Sequence, residues 1–350
     1  MKTKYSRGTA LRRLLAMLLA ALISVTAFAG CSSGKQQPGS QPDQSTAEVS
    51  EEQTAEDAEL QQEPEDEREP SDARPLIWAV TAPQGEEAVM YLFGSIHAAN
   101  PDLYPLHSGI MDAFASCDSL AVEADIDAMM SDPDMLNQLM PYLVYGDGRV
   151  ITDEIDPELV KRALKIFEQE EPSLTGETLM LFRPYMWTAM LQEIYLAKSE
   201  LQVEAGVDLY FLELAKQRGM PVLEVESIEF QMEMLTGFSP EVQSYLLESA
   251  LQIDEAVVEL DALYSAWYTG DEAALLFEEV EDAEHAEHAA AMAEYEQALV
   301  HDRNTNMANV AESYIAAGNK VFYVVGVLHM VGETGLVQQL TDRGYTVTRI

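Results

Sequence analysis

From residue 76 onward, short apolar runs alternate with longer stretches in which apolar residues recur every three or four positions. Short runs of this kind predict strands, and the 3.6-residue recurrence predicts helices. Residues 89–93 form an apolar strand candidate that stops at Gly94. A helix is expected to include residues 111–116, and a second strand over 119–123 is apolar until its last residue. Helical spacing returns over 156–169, 184–198 and 208–217, the last closed by Gly219 just beyond its end. Residues 221–225 read as strand. Residues 226–317 are mostly helical, broken at 237–240 and 269–271. The run 320–327 is the strongest strand in the chain, rich in Val and aromatic residues. A helix over 334–343, stopped by Gly344, and a last strand over 345–350 complete the pattern. The expected fold is α/β (α+β): a central mixed sheet from N- and C-terminal strands, enclosing a large, mostly helical middle section.

Before residue 76 the pattern is different. Lys2, Lys4, Arg7, Arg12 and Arg13 precede an apolar run over 14–28, with no acidic residue before Cys31. That order is the one of a secretory signal, and the run is short for a spanning helix. It ends in Phe28-Ala29-Gly30-Cys31, which resembles a bacterial lipobox with Phe where Leu is more usual. Cleavage before Cys31 and acylation of its thiol are expected, so residues 1–30 read as a lipoprotein-type signal. Residues 32–75 hold 13 acidic and 3 basic residues and almost no large apolar one. Such a segment buries too little apolar surface to offset its ordering entropy. Residues 31–75 therefore read as a lipidated Cys and a disordered acidic tether, and 76–350 as one domain. The expected location is the cell membrane, lipid-anchored, on the extracytoplasmic side.

Charge narrows the partners. Residues 76–350 carry 48 acidic and 12 basic residues. That excess repels phosphates, which excludes nucleic acid, and it matches cations or peptides with basic ends better. Cys117 is the only cysteine besides Cys31, so no disulfide framework is expected. There is no Gly-x-Ser-x-Gly and no phosphate loop, which disfavours a serine hydrolase or a nucleotide enzyme.

The chemistry-bearing residues cluster at strand ends. Phe93-Gly94-Ser95-Ile96-His97 and Val325-Gly326-Val327-Leu328-His329 both place a His three residues after a Gly, where a strand gives way to a loop. Glu123 and Glu224 also fall at strand ends. In open α/β sheets, functional groups gather there. Two imidazoles and a carboxylate are a common ligand set for a catalytic metal with an open position. The alternative from pattern alone is that each His caps a strand end through a backbone carbonyl.

Further stretches carry a resemblance: Tyr104-Pro105-Leu106, Leu120-Ala121-Val122-Glu123-Ala124-Asp125, Ala205-Gly206-Val207-Asp208, Leu223-Glu224 with Gln231 behind it, and Arg303-Asn304. With the two Gly-x-x-His motifs, Gly332 and Gly335-Leu336, their order resembles the TraB/GumN family, which has a pheromone-shutdown branch and is related to the Tiki metalloproteases. The one mild departure is Met330-Val331. The resemblance implies His97, Glu123 and His329 as metal ligands or catalytic groups, with Mn, Co or Zn as the divalent ion. It also implies a metal-dependent hydrolase or peptidase acting on a peptide substrate or signal. Arg303 is a candidate for polarising a carbonyl or holding a carboxylate; its plain alternative is an ion pair with Glu123 or Glu224. Asp208, Glu224 and Asn304, with Gly94 and Gly326, are expected to support the site. A non-catalytic module that binds or sequesters a peptide signal is the alternative function, and a metal-free esterase-like chemistry is a third. His107 and His301 read as structural, and Cys117 as buried.

Overall fold

The computed structural model describes residues 69–350, except 132–133 and 277–282. The signal, Cys31 and tether residues 32–68 lie outside the described residues. Among the described residues no helix is long and apolar enough to cross a membrane.

Six strands form one mixed sheet. They are β1 (Ile77–Thr81), β2 (Ala88–Ser95), β3 (Ser119–Val122), β4 (Val222–Glu224), β5 (Val321–Gly326) and β6 (Thr346–Arg349), in the order β4-β3-β5-β2-β1-β6. The first four in that order run parallel, and β1 is antiparallel to both its neighbours. The expected mixed sheet with helices between its N- and C-terminal strands is what forms. β5 lies at the centre because Val321, Phe322, Tyr323, Val324 and Val325 are all buried. A strand covered on both faces reads as a continuous apolar run rather than an alternating one.

Helices α1 (Ser108–Ala115) and α4 (Val207–Arg218) supply Phe114 and Phe211, which meet Phe93 of β2 and Phe322 of β5. The ring centroids lie 4.8–5.7 Å apart, so this cluster locks the two central strands to their flanking helices. The middle section includes α2 (Pro157–Glu170), α3 (Pro184–Leu196), α5 (Ile228–Gly237), α6 (Pro240–Ala250), α7 (Ile253–Thr269) and α8 (Ala283–Glu296). α3 is buried at every position but Glu193, the signature of a helix surrounded by others. After α8 a π-helical turn, Gln297–Asp302, leads into α9 (Arg303–Ala316). Then come the single-turn α10 (Val327–Met330) and α11 (Leu336–Asp342).

Three expectations shift. β1 was not expected, although its apolar run is plain in retrospect. The strand over 320–327 stops at Gly326 because the chain turns directly into α10. The end of the tether is docked on the domain. The Ser71 N–H donates to the Pro105 carbonyl at 3.0 Å, Arg74 N–H to the Tyr268 carbonyl at 2.7 Å, and Ala73 is fully buried. Composition alone hid this, because backbone hydrogen bonds do the holding. Gly270 makes room, since a Cβ there would stand 2.2 Å from the Arg74 oxygen.

Candidate functional site

The two Gly-x-x-His motifs lie side by side because β2 and β5 pair in parallel, Gly94 opposite Val325 and Ser95 opposite Gly326. Close approach requires the first glycine, and the second keeps the space between the site side chains open. A Cβ on Gly94 would sit 2.7 Å from Val327 Cγ2. A Cβ on Gly326 would fall 3.2 Å from Glu123 Oε1, 3.6 Å from His329 Cδ2 and 3.8 Å from His97 Nε2. One point in space is therefore within 4 Å of all three expected site side chains. They line a narrow pocket of about 20 Å³ with Ser95, Leu260 and Leu263, room for a water molecule at its base.

Each imidazole is tied down through Nδ1. His97 donates to Asp208 Oδ2 at 2.8 Å, from the first turn of α4. Its loop is clamped by Val207 N–H to the Ile96 carbonyl, 3.0 Å, and by Gly206, whose Cβ would stand 2.4 Å from the His97 oxygen. His329 Nδ1 meets Asn304 Oδ1 at 2.6 Å. The Asn304 amide nitrogen donates to the Thr334 carbonyl at 3.1 Å. That carbonyl can only accept, so Oδ1 of Asn304 must accept in turn and His329 carries its hydrogen on Nδ1. Nε2 of His329 is left as a lone-pair donor.

Glu123 accepts from Gly326 N–H through Oε1 and from Arg303 Nη2 through Oε2, each at 2.6 Å. Arg303, 2 % exposed, also binds Glu226 through Nε and Nη2 at 2.8–3.1 Å. Gln231 closes the group, donating to Glu226 at 2.9 Å and reaching Glu123 at 3.5 Å. Two carboxylates around one guanidinium, with Asp208 nearby, leave the cluster two negative charges in excess before any proton on His97.

Electrostatics sort the two imidazoles. Burial disfavours charge on His97, but Asp208 and Glu123 outweigh it and push its pKa up to about 9. Burial and Arg303 push His329 down to about 3, against the pull of Glu123. Burial opposes ionisation of Glu123, yet Arg303, the His97 cation and the Gly326 N–H hold it well below the usual carboxylate range. A raised folded-state value means that the His97–Asp208 contribution is complete below the unfolded value of about 6.5 and fades as pH rises through about 9. Without added divalent ions, stability is expected to fall between about pH 7 and 10, by on the order of 3 kcal/mol at most, read as a falling melting temperature. Asp208→Asn should flatten that slope. A wild-type melting temperature unchanged over this interval would contradict the assignment.

The structure thus brings together His97, Glu123, His329, Arg303, Asp208, Asn304, Gly94 and Gly326. Glu224 is not among them. It is exposed, and its Oε1 accepts the Asp125 N–H at 3.0 Å. Glu226, two residues on, is buried and pairs with Arg303 instead. Sequence reasoning missed it because both glutamates fall at the end of the same short strand and nothing in Leu223-Glu224-Val225-Glu226 ranks them. Trp267 was also missed; its Nε1 donates to the Gly94 carbonyl at 2.8 Å and holds the first glycine in place. His107 caps α1 by accepting from Gly109 N–H, and His301 meets the Thr334 hydroxyl at 3.1 Å. Cys117 is buried, which pushes its thiol up to about 11.

Among the described residues, no three His, Cys, Asp or Glu side chains stand ready at ligand distance around one point. They ring a shared space instead. The donor set fits a divalent cation in kind: two imidazoles oriented from behind, an ionised carboxylate, and a local excess of negative charge.

A family model described as the TraB/PrgY/gumN family matches residues 76–349. The chain is 32 % identical over 149 residues to "Uncharacterized protein YbaP" of Escherichia coli (strain K12), and equally to the protein of that name in Shigella flexneri. These alignments cover 41 % of this chain and 51 % of each relative, about half the length of the curated proteins. No solved structure matches.

Proposed function

The chain belongs to the TraB/PrgY/gumN family, and from that premise we propose that its paired-histidine pocket is the site of a divalent-metal-dependent hydrolase that cleaves peptides. The observation that carries the reading is the anchoring of both imidazoles through Nδ1, to Asp208 and Asn304. Outer partners of this kind fix the ring and raise the donor strength of the other nitrogen, as they do behind metal-ligating histidines.

His97 and His329 would hold the ion, with Glu123 as the carboxylate ligand. When bound, such an ion acidifies a water and polarises a carbonyl. Glu123 is too acidic to be an efficient base near neutral pH, so its part is to hold positive charge. Arg303 and Gly326 N–H fix where its oxygens point. The proton that His97 carries in the ion's absence must leave on binding, which makes affinity rise with pH. Leu260 and Leu263 of α7 wall the pocket and limit water beside the reacting groups.

The test is cleavage. The purified protein, stripped of metal and reloaded with Mn²⁺, Co²⁺ or Zn²⁺, is expected to cut members of a peptide library, read by mass spectrometry. Binding followed by recovery of every peptide intact would instead support a sequestering role. Gly326→Ala is a sharp companion. The backbone there is ordinary helical-entry geometry, φ −49°, so alanine folds. Its methyl would occupy the point shared by the three side chains, and cleavage should fall by at least about a hundredfold.

The reading includes a place. The basic-then-apolar leader and Cys31 support a lipid anchor on the outer side of a membrane. Incorporation of labelled fatty acid, lost in Cys31→Ser, is the expected result, and unchanged labelling would overturn it.

A further inference from the structure

A second pocket lies among α3, α5 and α6, separate from the paired-histidine site. Glu154, Arg183, Tyr185, Thr236, Phe238 and Gln243 line it. Three polar atoms of these residues are buried without a hydrogen-bond partner: Arg183 Nε, Tyr185 Oη and Gln243 Oε1. Tyr185 is 2 % exposed and Gln243 4 %. Leaving such groups unmet is costly, and native interiors rarely do so. Three on one cavity point to something that belongs there.

Arg183 Nε–H can only donate, the Tyr185 hydroxyl is able to donate, and the Gln243 amide is oriented by a neighbour. Gln243 Nε2 donates to the Leu235 carbonyl at 2.8 Å, so Oε1 is the end turned elsewhere, and it can only accept. The Arg183 guanidinium stacks over the Tyr145 ring, 5.5 Å from its centroid. Among the described residues it has no ion pair, in a chain with three acidic residues for every basic one. The Glu154 carboxylate on the same wall is already engaged by the Tyr145 hydroxyl at 2.8 Å and by Arg149 Nη1 at 2.6 Å. The pocket thus offers two unmet donors, one unmet acceptor, and one carboxylate whose charge is largely balanced.

The enclosed space is about 30 Å³, room for about two water-sized groups. Two oxygens on one carbon match that room and the two donors. The unmet acceptor on the same cavity asks for an N–H close to those oxygens. We propose that this pocket binds an α-amino carboxylate, either a free amino acid or the C-terminal residue of a peptide. Its carboxylate takes Arg183 Nε–H and the Tyr185 hydroxyl, and its adjacent N–H meets Gln243 Oε1. Every peptide cleavage creates such a terminus. The site nevertheless stands independently of the proposed hydrolase, because it uses none of the same side chains.

The experiment is ligand binding to the metal-free full chain, by calorimetry and ligand-observed NMR. The probes are glycine, N-acetylglycine and N-acetylglycinamide. Glycine alone binding identifies a free amino acid, and N-acetylglycine binding identifies a peptide terminus. N-acetylglycinamide, which lacks the carboxylate, should not bind. Tyr185→Phe removes one hydroxyl and keeps the ring, so the fold is retained. It and Arg183→Gln should each weaken the binding probe roughly tenfold or more. No binding by either carboxylate at millimolar concentration would overturn the proposal and leave ordered water as the occupant. So would equal binding of the amide, or an affinity unchanged in Tyr185→Phe.

Discussion

Replacing His97 and His329 together by alanine is expected to remove divalent-ion binding at the pocket and reduce peptide cleavage to background. Each ring supplies one nitrogen to the shared space, and the remaining carboxylate is already shared with Arg303 and Gly326 N–H. A single carboxylate in that state holds an ion weakly. The single variants separate the two rings. His329 is neutral before any ion arrives, whereas His97 must lose a proton. Loss of His329 should therefore cost affinity at every pH, while the cost at His97 should grow as pH rises. Metal content after dialysis, ion titration calorimetry and mass-spectrometric cleavage assays measure the three effects. Undiminished metal content in the double variant, with the fold intact by circular dichroism, would remove the site from consideration.

The second large effect is on stability. Arg303→Met leaves Glu123 and Glu226 buried, close together, without their shared cation. Removing one partner of a buried ionic group costs about 3–5 kcal/mol, because an uncompensated charge is left behind. For a domain of this size the melting temperature should drop by roughly 5–15 °C. Glu226→Gln keeps the shape and the Gln231 contact while removing one negative charge, so it should cost clearly less. In the double variant the loss should be smaller than the sum of the two singles, since the residues form one network. An Arg303→Met protein that melts within about a degree of the wild type would mean the triad is not a stabilising unit.

Much of the site was legible because its chemistry is concentrated in short motifs at strand ends. The Gly-x-x-His pairs announce themselves: glycine where backbones must approach, and histidine one turn on. Asp208 and Asn304 were reachable from the motifs around them. Glu226 was not, because its role depends on the chain path after β4 rather than on local pattern. The same holds for Trp267, whose indole reaches Gly94 across 173 residues of sequence. In the fold, strongly apolar β5 and the periodic helices were plain. The docking of residues 71–74 was hidden, since backbone groups make those contacts and composition carries no trace of them. Arg183, Tyr185 and Gln243 were equally silent, because three residues on two helices and a loop form a pocket only after both helices pack.

The parallel pairing of β2 with β5 has a consequence for when the protein can act. One side of the pocket is made by residues 95–98, and another waits for residues 326–329. Closing that long span is slow relative to local helix formation. A nascent chain can build its helices early, yet it holds no assembled pocket until the second motif has been synthesised and threaded beside the first. The pocket is therefore unassembled through nearly all of the chain's own manufacture.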